Sequence, residues 1–159
     1  MYSHRQSGAR LAWIVLVAAV PLMLVALLAP EMQPAGRVTV VAALLVMMIS
    51  VWTFSSLTVT VDDTHLRWHF GPGLVRKKVP LADIVSVERT RTSLLSGVGI
   101  HLTPRGWLYN VWGRDAVWVR LRGGKQFLLG SDEPDSLAAA IRRSLPAEVR
   151  ERARRVKDR

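Results

Sequence analysis

The chain contains no cysteine. No disulfide can staple it and no thiolate can hold a metal. Lysine is scarce, at Lys77, Lys78, Lys125 and Lys157 only, so the basic residues are nearly all arginine. Acids are outnumbered, 12 against 22 bases, which leaves a formal charge of +10. Such a balance suits an anionic partner, nucleic acid or an anionic lipid surface; it also suits a membrane protein kept oriented by its arginines. There is no Gly-x-Ser-x-Gly elbow, no His-Glu-x-x-His and no phosphate loop. Charge is missing altogether from two long stretches, Leu11–Ala29 and Val38–Leu57.

Those two stretches dominate the first third of the chain. Each holds about twenty apolar residues, enough for a helix to cross the hydrocarbon core. The first is longer than a signal-peptide core and has no Ala-x-Ala pattern after it, so it reads as a membrane helix over about 11–29, with Pro21 in mid-span. The second reads as a helix over about 38–57. Pro30–Arg37 between them is a short turn, which forces an antiparallel hairpin. Both chain ends then share one side of the membrane. Arg5 and Arg10 flank that side, so the expected topology is multi-pass in the plasma (inner) membrane with both termini cytoplasmic. Trp13 and Trp52 fall at the cytoplasmic ends, where amphipathic rings favour the interface. Neither span holds an ionisable residue, which argues against a pump or transporter pathway. Ser50, Thr53, Ser55 and Ser56 read as hydroxyls bonded back to helical carbonyls or across to a neighbour.

No linker separates the second helix from the strand pattern beyond it. Leu57, Val59 and Val61 alternate with Thr58 and Thr60; Asp62-Asp63-Thr64 turns; Leu66, Trp68 and Phe70 alternate with His65, Arg67 and His69. This pattern is a hairpin with one apolar face. Further strands are expected around Leu74–Val79, Ile84–Arg91, Trp107–Trp112, Val117–Arg122 and Phe127–Leu129, with a weaker one near Val98–Leu102. Gly123-Gly124 is a tight-hairpin turn. About seven short strands imply an antiparallel sandwich or barrel. One helix comes after them. Ser131 or Asp132 is its N-cap, Leu137, Ile141 and Leu145 form its apolar stripe, and Pro146 stops it. Residues 146–159 form a basic tail. The chain thus divides into a transmembrane helical hairpin over 1–57, a β domain over 57–145 and the tail.

Seven strands capped by a C-terminal helix is the pleckstrin-homology arrangement. The segment from Gly99 to Ile141, GIHLTPRGWLYNVWGRDAVWVRLRGGKQFLLGSDEPDSLAAAI, resembles bacterial PH-like domain proteins with an N-terminal two-helix membrane anchor. The resemblance implies a membrane-anchored α+β protein whose PH-like seven-stranded antiparallel β-sandwich or barrel is capped by one helix. It supplies no catalytic residues. In lipid-binding eukaryotic PH domains basic residues flank the first hairpin turn; here that turn is Asp62-Asp63-Thr64, which is acidic.

The chemistry-bearing residues read mostly as structural. His65 and His69 share a strand face with Arg67 between them, which repels a cation, so no metal or other cofactor is expected. The chain reads as non-enzymatic. Trp68, Trp107, Trp112 and Trp118 read as filling the core and the surface towards the membrane, not as a base-stacking platform, and no nucleic-acid partner is expected. Arg76, Lys77 and Lys78, with Arg150, Arg152, Arg154 and Arg155 in the tail, are candidate contacts for anionic headgroups; the first three equally suit an edge strand protected by charge. The expected role is a binding or scaffold domain displayed at the inner leaflet, for a protein partner or self-assembly. Its competitors are a lipid or small-ligand sensor using the barrel mouth, and an accessory subunit of a membrane enzyme or transporter.

Overall fold

The computed structural model describes residues 1–30, 33–93, 99–147 and 149–150. Among them the chain is a mixed α+β protein with two sheets and three helices, in the order β1 (Tyr2–Ser7), α1 (Ala9–Leu28), α2 (Pro34–Thr53), β2 (Ser56–Val61), β3 (His65–Phe70), β4 (Arg76–Pro80), β5 (Ile84–Arg91), β6 (Gly99–Thr103), β7 (Gly106–Asn110), β8 (Asp115–Leu121), β9 (Gln126–Gly130) and α3 (Pro134–Ser144). One sheet runs β1-β2-β3-β4 and the other β5-β8-β9-β7-β6.

The strand count and the pairing both differ from expectation. The described strands number nine, not seven, and they are not all antiparallel, because β7 and β9 pair in parallel through Trp107–Phe127, Leu108–Leu128 and Tyr109–Leu129. β1 is a strand that the sequence pattern does not announce. Its YSHRQS sequence has no apolar alternation and reads as a polar flank of the first helix. It pairs antiparallel with β2 along its whole length, from Tyr2–Val61 to Ser7–Ser56. The helical hairpin is therefore inserted between two paired strands. The helix limits shift as well. α2 begins at Pro34, because a proline in the first turn loses no hydrogen bond there, and it ends at Thr53 rather than Leu57. Leu57 is a buried strand residue.

The hairpin and the β body meet through two short joints. At one, the Gly8 N–H donates to the Ser55 carbonyl at 2.7 Å, which extends the β1–β2 ladder to the feet of both helices. At the other, Phe54, the residue after α2, sets its ring edge-on to Phe70 at 5.2 Å between centroids. Along the hairpin itself Ala19 and Ala26 are buried while Trp13, Ile14, Val17, Leu24, Val25, Leu45, Val46 and Ile49 are exposed. Small residues thus sit where helices approach closely, and large apolar ones point outward. Two of the four hydroxyls near the end of α2 bond back to carbonyls: Ser50 Oγ donates to the Val46 oxygen at 2.8 Å and Ser55 Oγ to that of Trp52 at 2.8 Å. Ser56 instead begins β2, and its buried hydroxyl has no partner among the described residues. Arg37 Nη2 donates to the Ala29 carbonyl at 2.7 Å, satisfying an end group of α1 across the connection.

The core lies between the two sheets and α3. Leu57, Leu66, Phe70, Leu81, Ile84, Leu129, Leu137 and Ile141 are fully buried in it. Trp68 stacks on Phe127 at 4.8 Å and meets Tyr109 edge-on at 5.2 Å. The stripe Leu137, Ile141 and Leu145 faces this core throughout. Arg142 of α3 donates to the Val87 carbonyl of β5 through Nη2 at 2.6 Å, so it fastens helix to sheet.

Candidate functional site

The candidate headgroup contacts separate in space. Arg76, Lys77 and Lys78 are exposed on β4, which forms one edge of the four-stranded sheet. Pairing fixes which way each points. Arg76 lies opposite His69 and Lys78 opposite Arg67, on the outer face, whereas Lys77 lies opposite Trp68, whose side chain is in the core. The three residues are not one patch: a strand alternates its side chains, so Lys77 belongs to the other face. Arg150 is exposed just beyond α3, its N–H bonded to the Pro146 carbonyl at 3.0 Å. Arg154, with Arg152 and Arg155, lies outside the described residues.

A groove of about 370 Å³ opens where the hairpin meets the body. Ala12 and Val51 line it from the helices, Phe54 from just after α2, Gly99 and Ile100 from β6, and Val111 from just after β7. It is mainly apolar and lies at the feet of the helices. Gly8 also borders it, and a Cβ there would run into the Val111 side chain.

His4, His65 and His69 have different surroundings. His65 Nδ1 lies 2.8 Å from Thr64 Oγ1. His69 faces outward beside Arg76, with its Nδ1 buried and unpartnered among the described residues. His4 Nε2 sits 2.6 Å from Asp132 Oδ1 and ties β1 to the start of α3. Tyr2, in the same strand, has its phenol pKa raised by burial and then by the nearby Glu133 and Asp132 charges. No group of three His, Asp or Glu side chains fit for a metal occurs among the described residues.

The tryptophans divide among several roles. Trp68 alone fills the main core. Trp118 packs on Leu108, Ala116 and Leu128 on the opposite face of the second sheet, with the guanidinium groups of Arg105 at 5.5 Å and Arg120 at 4.6 Å from its ring centroid. Both are cation–π contacts, and Arg120 also pairs with Glu88. Trp107 and Trp112 are half exposed.

In class, this is a two-sheet α+β body carrying an apolar helical pair between its first two strands. The chain belongs to the family described as "Protein of unknown function (DUF3093)", which matches residues 1–141 and so takes in β1, both N-terminal helices and the body. No curated protein matches it.

Proposed function

We propose that the chain is an integral membrane protein that holds a PH-like binding or scaffold domain against the cytoplasmic leaflet of the inner membrane, for a protein partner or for self-assembly. The carrying observation is the insertion of an apolar helix pair between two paired strands. α2 is 20 residues long, and at 1.5 Å per residue that spans roughly the 30 Å of a hydrocarbon core. It is long and apolar enough to cross a membrane and, apart from Thr53 at its end, has no buried residue; α1 packs beside it with an apolar stretch over Ala12–Leu28. Outward-facing apolar side chains on both helices are costly in water and at home in lipid. Because β1 and β2 pair, the hairpin's two feet are fixed side by side, which supports a topology with both termini on one side. Two sheets capped by a C-terminal helix support the PH-like reading; the parallel β7–β9 pair is where this body departs from an all-antiparallel one.

A partner surface is available on the body. Leu102 and Trp107 are exposed cross-strand neighbours at the edge of the second sheet. Photocrosslinkers placed at these two positions in living cells should give a discrete adduct, with another protein or with a second copy. Absence of any adduct, homotypic ones included, would overturn the scaffold role. The groove at the helix feet supports a second reading, a sensor of a small apolar ligand. That reading requires saturable, salt-insensitive binding of such a ligand by the full chain in detergent.

A further inference from the structure

We propose that the outer face of the four-stranded sheet docks on anionic lipid headgroups of the bilayer, with Arg5 and Arg76 as its principal contacts. This rests on the membrane reading above. The strand registers assemble the surface. Arg5 lies opposite Thr58, Thr58 opposite His69, and His69 opposite Arg76, so these four form one row across all four strands. In the next row Ser3, Thr60, Arg67 and Lys78 line up in the same way. Arg5, Arg67, Arg76 and Lys78 are exposed. The face thus carries four permanent positive charges drawn from β1, β3 and β4, although no two of the four are near neighbours in sequence except Arg76 and Lys78.

Its orientation is set by the joints. The Arg5 row is the one nearer the helices: Ala9, the first residue of α1, comes four residues after Arg5, a chain path of at most about 14 Å. The β3–β4 turn abuts the end of α2, because a Cβ on Gly71 would meet the Trp52 carbonyl at 3.0 Å and would run into that of Thr53. Arg76 leans towards this turn, its Nε donating to the Gly73 carbonyl at 2.9 Å. Leu74, on the same turn, is 69% exposed. An arginine can keep its head among phosphates while its stem lies along apolar surface, and the headgroup zone begins where the apolar helices end. The acids close to this face, Asp62 and Asp63, lie at the β2–β3 turn, the end away from the helices. Asp62 already pairs with Arg67 at 3.1 Å. The uncompensated charge is therefore concentrated on the membrane side, in the Arg5–Arg76 row. Partners such as nucleic acid fit less well, because the face presents no exposed aromatic ring for stacking.

The absence of cysteine permits a direct test on the full chain. Leu74→Cys carries an environment-sensitive fluorophore, in vesicles of phosphatidylcholine or of phosphatidylcholine mixed equally with phosphatidylglycerol. The expected result is a blue shift and quenching by lipid-borne quenchers in the anionic vesicles, reversed by high salt. Arg5→Gln and Arg76→Gln should each lower the docked-to-undocked ratio about fivefold, while Lys77→Gln leaves it unchanged. Equal signals in neutral and anionic vesicles, or an equal loss with Lys77→Gln, would overturn the docking surface. A second probe at Leu24→Cys, exposed in the second half of α1, separates the two readings. Quenching there with no anion-dependent response at residue 74 removes the docking surface and leaves the anchor. No quenching at residue 24 removes both.

Discussion

At the scale of single residues, a few positions hold the fold to one geometry. Asp62 at the β2–β3 turn accepts the backbone N–H groups of Thr64 at 2.8 Å and His65 at 2.6 Å. These bonds, with the Thr64 hydroxyl and Arg67, lower its pKa to about 2. A carboxylate whose folded pKa is depressed contributes stability above its unfolded value, near 3.9, and that contribution disappears as pH falls towards the folded value. The hairpin should therefore loosen in acid between roughly pH 4 and pH 2; an NMR titration of the Asp62 carboxyl should show a midpoint near 2. Gly71 is a second fixed point. Its φ of +43 lies in the left-handed region, and its open side faces the last carbonyls of α2. Gly71→Ala combines backbone strain with a clash and should cost more than about 1 kcal/mol, read by thermal unfolding. Leu137, fully buried on the core-facing side of α3, should cost about 2–5 kcal/mol when cut to alanine, read by thermal unfolding.

At the scale of elements, the unusual feature is β1. It is held by the ladder to β2, by Gln6 Nε2 donating to the Trp112 carbonyl at 2.6 Å, and by His4 against Asp132. Removing residues 2–7 should unpair β2 along one edge, leaving the row of N–H and C=O groups that favours edge-to-edge association. The truncated chain should be oligomeric or aggregated on size exclusion in detergent, where the full chain stays uniform. The strand is illegible in the sequence because its side chains give no hydrophobic period: Ser3, Arg5 and Ser7 face out, and its inward residues are Tyr2, His4 and Gln6. Gln6 is buried and polar, which runs against the pattern by which strands are recognised. The β2–β3 hairpin, by contrast, obeys the apolar alternation and the Asp-Asp-Thr turn, and α3 obeys its leucine–isoleucine stripe. The parallel β7–β9 pairing is illegible for another reason. A hairpin shows itself through its turn, whereas strands that pair non-sequentially leave no local mark. The basic surface is half legible for the same cause. Arg76 and Lys78 stand in one strand, but Arg5 joins them only through two intervening pairings.

At the scale of the whole molecule, everything turns on the proposed placement: the helical pair in a bilayer, with the body on one side and the short connection on the other. With β1 and β2 paired, the feet of the helices cannot separate, so a topology with the termini on opposite sides would break the sheet. The decisive measurement uses single cysteines in a chain that has none of its own, at Gln33 in the connection and at Lys125 in the turn between β8 and β9. Intact cells are treated with a membrane-impermeant maleimide, then lysed and counted for label. The membrane placement predicts labelling at residue 33 from outside and at residue 125 only after lysis. Labelling of residue 125 in intact cells, or protection of residue 33 with release of the protein by carbonate washing, would contradict it.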